Sequence, residues 1–232
     1  MQTFATALLT IVVVLLAAGP AITQVRQYPL ESIDGLILHN VAAAPVTLDG
    51  RKGLRLTMSD EARREQRQVE QLARIRDLEF SNGVIELELA GAPAPDAPAG
   101  ARGFVGIAFR VQPSNDIYDA FYLRPTNGRA TDQERRNHSA QYISHPAWTW
   151  SRLRQETPSK YESYVDLVPG VWTKIRIEVR GNVARLFVHD HEQPTLIVND
   201  VKTGAQAKGA VALWLDAGTI AHFRNLSVTP DK

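Results

Sequence analysis

The run Asn82-Gly83-Val84-Ile85-Glu86-Leu87-Glu88-Leu89-Ala90-Gly91 decides the fold class. Ile85, Leu87 and Leu89 point one way and Val84, Glu86 and Glu88 the other, because side chains of an extended chain alternate with a period of two. From Phe80 onward runs of this kind follow one another: GFVGIAFRV, DAFYLR, SAQYIS, YESYVDL, WTKIRIEV, ARLFVHD, TLIVNDV, GAVALWL and TIAHFRNLSV, with Gly, Asn or Pro between them. Short strands at such even spacing predict an all-β chain, a two-sheet antiparallel β-sandwich. No βαβ alternation suggests a parallel sheet. Arg180-Gly181-Asn182 predicts a tight hairpin, and residues 91–100, rich in proline and alanine, predict a loop.

Upstream, the apolar runs LILHNV, APVTL and GLRLTM are separated by Asn40, Pro45 and the Asp49-Gly50 pair, a hairpin signal. Residues 59–77 form the one stretch that looks helical, with Val69, Leu72 and Ile75 spaced by three; a strand with a charged face is the competing reading. At the N-terminus an apolar run from Ala7 to Ala18 precedes Gly19, Pro20 and Ala21. This is the layout of a secretory signal peptide over residues 1–23, with an uncleaved membrane anchor as the alternative. Residues 24–232 then form a single domain. The chain has no cysteine, which removes disulfides, thiolate zinc sites and cysteine nucleophiles. Export without disulfides points to a bacterial periplasm or exterior. A formal net charge of +1 over 232 residues argues against a nucleic-acid partner, which calls for a strongly basic patch.

The order G-x-I-E-x-x-L, GFVGIAFRV, FYLRP, GVWTKIRIEVRGNVARLFV and KGAVALWLDAGTIAHFRNLSV resembles the concanavalin A-like lectin and glucanase jelly rolls. It is most similar to the laminin-G-like domains and to the bacterial 3-keto-disaccharide hydrolase-type module. The likeness covers about residues 80–228 and is most specific in the back half, where a W-x-x-I-x-I-x-V strand, a hairpin, an apolar strand and a G-x-x-x-L-W…F-x-N-L pair recur in order. It implies the jelly-roll fold. That fold hosts lectins, hydrolases, lyases and adhesion modules alike, so function has to be argued from the site.

Residues 118–164 concentrate the chemistry: eight aromatics, six arginines, and His138 and His145. The mixture suits stacking on a sugar ring and hydrogen-bonding to its hydroxyls. The candidate binding residues are Tyr122, Arg124, Asn127, Arg129, Arg136, His138, Gln141, His145, Trp148, Trp150, Arg152 and Arg154. If Trp148-Thr149-Trp150 is extended, both indoles lie on one side. Paired carboxylates are what glycoside hydrolysis needs, and Glu86 with Glu88, Asp119 and Glu134 are the candidates. The family-sixteen glucanases carry E-x-D-x-x-E on one strand. Here the chain reads E-L-E-L-A-G, which puts that role in doubt. His189-Asp190-His191 shares its spacing with metal sites, but it precedes a turn-like Glu192-Gln193-Pro194 and reads as a solvated turn. No cofactor is expected. Calcium, common among the domains the chain resembles, cannot be assigned to any loop. The leading expectation is an exported carbohydrate-binding protein with a carbohydrate or polysaccharide ligand; the alternatives are a glycoside hydrolase-type enzyme of the same fold and a protein-interaction or envelope-structural module.

Overall fold

In the computed structural model, which describes residues 24–65 and 70–231, the alternating runs pair into two antiparallel sheets. In chain order the strands are β1 (Arg26–Tyr28), β2 (Leu36–His39), β3 (Val41–Leu48), β4 (Arg51–Met58), β5 (Leu72–Ile75), β6 (Gly83–Pro93), β7 (Val105–Val111), β8 (Tyr118–Leu123), β9 (Ala140–His145), β10 (Glu162–Ser163), β11 (Thr173–Arg180), β12 (Val183–Val188), β13 (Leu196–Val198), β14 (Ala210–Leu215) and β15 (Thr219–Pro230). Three short helices, α1 (Asp60–Arg64), α2 (Gln133–Asn137) and α3 (Trp150–Glu156), interrupt them. An eight-stranded sheet runs β13-β12-β11-β6-β15-β4-β3, with β1 added on β15. A seven-stranded sheet runs β10-β9-β8-β7-β14-β5-β2. The proposed leader, residues 1–23, lies outside the described residues.

The alternation in β6 does what it predicts: Ile85, Leu87 and Leu89 are buried between the sheets, while Val84, Glu86 and Glu88 stay half-buried on the outer face. Each such side chain contributes about 1.5–3 kcal/mol by leaving water. Two tight turns also follow the sequence. Leu48 pairs with Arg51 across Asp49-Gly50, and Arg180 pairs with Val183 across Gly181-Asn182. Asp49, Gly50 and Gly181 have φ of 49°, 72° and 57°, the left-handed values that two-residue hairpins need.

Three expectations are corrected. Residues 59–77 are not one helix: Ser59 caps the single turn of α1, and Leu72 to Ile75 form β5, pairing with β2 and β14. Val69, part of that reading, lies outside the described residues. Strand β6 continues through Gly91, Ala92 and Pro93, paired only with β15. Its β11 partner has ended at Thr173–Leu89, so Pro93 gives up no ladder bond on that side. Finally, period-two alternation fails in β7, β8 and β9, which are buried almost throughout. One face of this sheet packs on the other sheet, where Phe109 stacks on Phe121 and meets Phe80 edge-on. The second face is overhung by α1, α3 and the 100–104 loop, and there the chemistry collects.

Candidate functional site

Register places Tyr122 of β8, Gly106 of β7 and Trp214 of β14 in one row across the overhung face. Glycine puts no side chain between the two rings, which stack at 4.8 Å between centroids. A Cβ at Gly106 would fall 2.2 Å from the Phe121 carbonyl oxygen and 2.6 Å from the Tyr122 Cβ, so the row depends on glycine. Phe104 extends it, 5.3 Å from Tyr122. With Trp150, His145 and Asp216 these rings wall a cavity of ≈ 700 Å³, within the usual range for small-molecule sites.

Beneath the rings lies Arg124, 3% exposed. Its guanidinium donates to Glu162 Oε1 at 3.1 Å, to the Tyr122 hydroxyl at 2.8 Å, to Gln141 Oε1 at 2.9 Å and to the His138 carbonyl at 3.0 Å. It also sits 5.1 Å from the centroids of both Phe104 and Tyr122 and 5.8 Å from that of Trp150. Glu162 accepts from Arg154 as well. Burial works against the Glu162 carboxylate, yet the hydrogen bonds from Arg154 and Arg124 hold its pKa below the ordinary value. Burial pushes the Tyr122 phenol up to about 12.

At the other end of the cavity three elements meet. Glu70 Oε1 lies 2.8 Å from His145 Nδ1, and its Oε2 accepts from the Tyr118 hydroxyl. Trp214 Nε1 donates to that hydroxyl at 3.1 Å, and the His145 ring stacks on Tyr118 at 5.0 Å. A carboxylate accepting from Nδ1–H leaves the imidazole lone pair on Nε2, the arrangement of an oriented general base. Asp216 follows β14 in the same cavity, and its amide donates to the Phe104 carbonyl at 3.3 Å. Burial raises its carboxyl pKa, and the Glu70 charge adds to the effect.

A second cavity of ≈ 420 Å³ adjoins the first, with Phe104 and Trp150 bordering both. Arg102, Arg124, Arg135, Arg154 and His138 line it, and Asn127 at its edge holds Arg135 through a 2.9 Å hydrogen bond. Burial lowers the His138 pKa.

Of the residues expected from sequence, Tyr122, Arg124, Asn127, His138, His145, Trp150 and Arg154 border these cavities, and Gln141 supports Arg124 from below. Four lie elsewhere. Arg129 is exposed in a bidentate pair with Asp166, and Arg136 stacks on Tyr164. Arg152 pairs with Glu156 and covers Trp148, whose ring packs against the core and also carries Lys202. Trp148-Thr149-Trp150 does not run on as a strand: Thr149, itself extended, caps α3, which places Trp150 at the site and leaves Trp148 behind.

The four candidate carboxylates are not brought together. Glu86 and Glu88 are on the outer face of the eight-stranded sheet, where Glu88 pairs with Arg51 and Arg224. Asp119 is wholly buried beneath Tyr142 and Thr203, and Glu134 sits on exposed α2 at the rim of the smaller cavity. His189-Asp190-His191 forms a turn in which His189 bonds to the Asp166 carbonyl and Asp190 pairs with Lys174. Glu70, Tyr118, Phe104, Trp214 and Asp216 were not singled out from the sequence. The only signal for them is the face-sharing of Tyr118 with Tyr122 and the position of Asp216 at the end of an apolar strand.

The two-sheet fold is a concanavalin A-like jelly roll, and its family is a carbohydrate-related one. The description of the 3-keto-alpha-glucoside-1,2-lyase-like domain matches residues 55–229, and the chain belongs to that family. The carbohydrate-binding module CBM66 from Bacillus subtilis is similar in structure, with a TM-score of 0.55 at 10% identity, covering 84% of this chain and 95% of that one. A Bacillus subtilis protein of unknown function with a galectin-like fold gives a TM-score of 0.51 at 13% identity, covering 88% and 94%. No curated protein matches the chain in sequence.

Proposed function

We propose that the protein binds a saccharide in the larger cavity. The observation that carries this reading is the aromatic row, Phe104, Tyr122 and Trp214, closed over by Trp150 and backed by the hydrogen-bonded Arg124. Ring faces take the apolar faces of a pyranose, while fixed polar groups read its hydroxyls. Trp150 is 45% exposed, so its truncation tests binding with little effect on the core. In isothermal titration against a panel of neutral and acidic oligosaccharides, Trp150→Ala should weaken binding about ten-fold, or ~1.4 kcal/mol. Absence of binding by the parent protein, or an unchanged Kd in the variant, would sink the assignment.

A second reading, cleavage of the bound glycoside, is favoured by the imidazole–carboxylate pair. Cleavage by elimination, as the family's description suggests, needs a base that takes a C–H proton and an acid that returns one to the departing oxygen. His145, oriented by Glu70 and Tyr118, suits the first role, and Asp216, with its raised pKa, suits the second. His145→Ala and Asp216→Asn should each keep saccharide binding and lose product release, followed by chromatography. Product release retained in both variants would overturn these roles, and no product from the parent protein would leave binding alone. Export to a bacterial envelope belongs to the same proposal, supported by the apolar run before Gly19-Pro20 and the lack of cysteine. Cell fractionation tests it.

A further inference from the structure

We propose that the smaller cavity is an anion subsite, and that the saccharide held in the larger one carries a negatively charged substituent: a carboxylate, sulfate or phosphate. This rests on the saccharide reading above. Four guanidinium groups border the smaller cavity. Two of them, Arg124 and Arg154, share the single carboxylate of Glu162. The other two have no carboxylate partner among the described residues. Arg135 is held by neutral acceptors only, Asn127 Oδ1 at 2.9 Å and the carbonyl and hydroxyl of Thr126 at 3.1 Å each. Arg102 donates to the Gly100 carbonyl. Among the described residues neither Arg102 nor Arg135 forms an ion pair with a carboxylate.

Two acids do border the cavity, and neither neutralises the pair. Asp132 spends its Oδ1 on the backbone amide of Arg135, 2.7 Å away, as the cap of α2. Glu134 is exposed on the same helix and makes no ion pair among the described residues. His138 is not a third cation of this kind: burial lowers its pKa, the Glu162 charge opposes that, and Arg154 and Arg124 lower it further. The consequence appears at Arg102, whose pKa is lowered by burial and then by repulsion from Arg135 and Arg124.

Like charges held together by neutral ligands are a preorganised receptor. An oxyanion placed between them relieves the repulsion, and guanidinium forks match the paired oxygens of carboxylate, sulfate and phosphate. Phe104 and Trp150 border both cavities, so a charged substituent on a sugar seated against them in the larger one is placed beside the smaller.

The test is isothermal titration of the full chain at low salt with cellobiose, cellobiouronic acid, glucose 6-sulfate, glucose 6-phosphate and inorganic sulfate. At least one charged sugar should bind ten-fold or more tightly than cellobiose, and raising the salt should erode the advantage. Arg102→Ala should remove most of that advantage while leaving the cellobiose affinity unchanged. Arg102 is a partly exposed loop residue, so this variant reads charge rather than folding; Arg135→Lys serves as the second probe. Equal affinity for the neutral and charged sugars overturns the anion subsite and leaves the saccharide reading standing. So does inorganic sulfate binding as tightly as the sulfated sugar, which would make this a free-ion site. Failure of every sugar to bind overturns the saccharide reading itself.

Discussion

Arg124 carries a full charge into a nearly dry position, and Glu162 makes that tolerable. Removing one member of such a pair leaves the other charge buried without compensation, a cost of about 3–5 kcal/mol. Glu162→Gln should therefore lower stability by that order in urea unfolding, with Arg124 and Arg154 both left short of an acceptor. The same carboxylate gives the protein an acid limit. Its folded pKa lies below its unfolded value of about 4.3, so its contribution is fully present above about pH 4.3. It is lost as pH falls through the folded value. Unfolding midpoints measured from pH 6 down to pH 3 should fall in the parent protein and flatten in Glu162→Gln. At this scale the sequence is a partial guide: Arg124 and Glu162 both stand within the dense 118–164 stretch, but their 3.1 Å contact spans 38 positions and no local pattern encodes it.

Among the elements, α3 decides whether the site has a roof. Its first residue is Trp150, and its cap is the Thr149 hydroxyl, which accepts from the Arg152 amide at 3.4 Å. A bond that long places the loss from Thr149→Ala at the low end of capping effects, about 0.5 kcal/mol. The expected outcome is a small drop in Tm accompanied by weaker saccharide binding, because the indole loses its fixed starting point. A drop in Tm with unchanged affinity would show that Trp150 needs no such anchor. Elements were legible where one physical rule dominated. Asp49-Gly50 and Gly181-Asn182 announced their hairpins, and residues 82–91 announced a one-sided strand. They were illegible where tertiary cover erased the period, as in β8, where all six residues are buried. Residues 59–77 failed for a related reason: Leu72, Ala73 and Ile75 are buried as parts of a sheet, and three-residue spacing there has no helical meaning.

For the whole molecule, the two-sheet sandwich and its family were readable from the order of apolar runs, since burial between sheets leaves a strong trace in sequence. The cleft was only half readable. Its aromatic and arginine members lie mostly in one stretch, whereas Glu70, Phe104 and the Trp214–Asp216 segment come from three other places in the chain and meet only through the strand order β8-β7-β14-β5. A ligand seated where so many separate segments converge should stabilise the fold as a unit. At a free concentration of one hundred times Kd the gain is about 2.7 kcal/mol, visible as a rise in Tm that grows with ligand concentration. A bound sugar that leaves Tm unmoved would have to bind the unfolded chain equally well.

Phe104 and Trp150 stand as a party wall between the two cavities, and that has a thermodynamic meaning. An occupant of one side that sets the orientation of these rings sets it for the other side too. On the saccharide reading the two compartments are then linked, and linkage is reciprocal: whatever factor an occupant of the smaller compartment applies to the affinity of the larger, the larger returns in full. Measured one at a time, the halves of such a ligand would not sum to the whole, and the difference would be the coupling free energy carried by that wall.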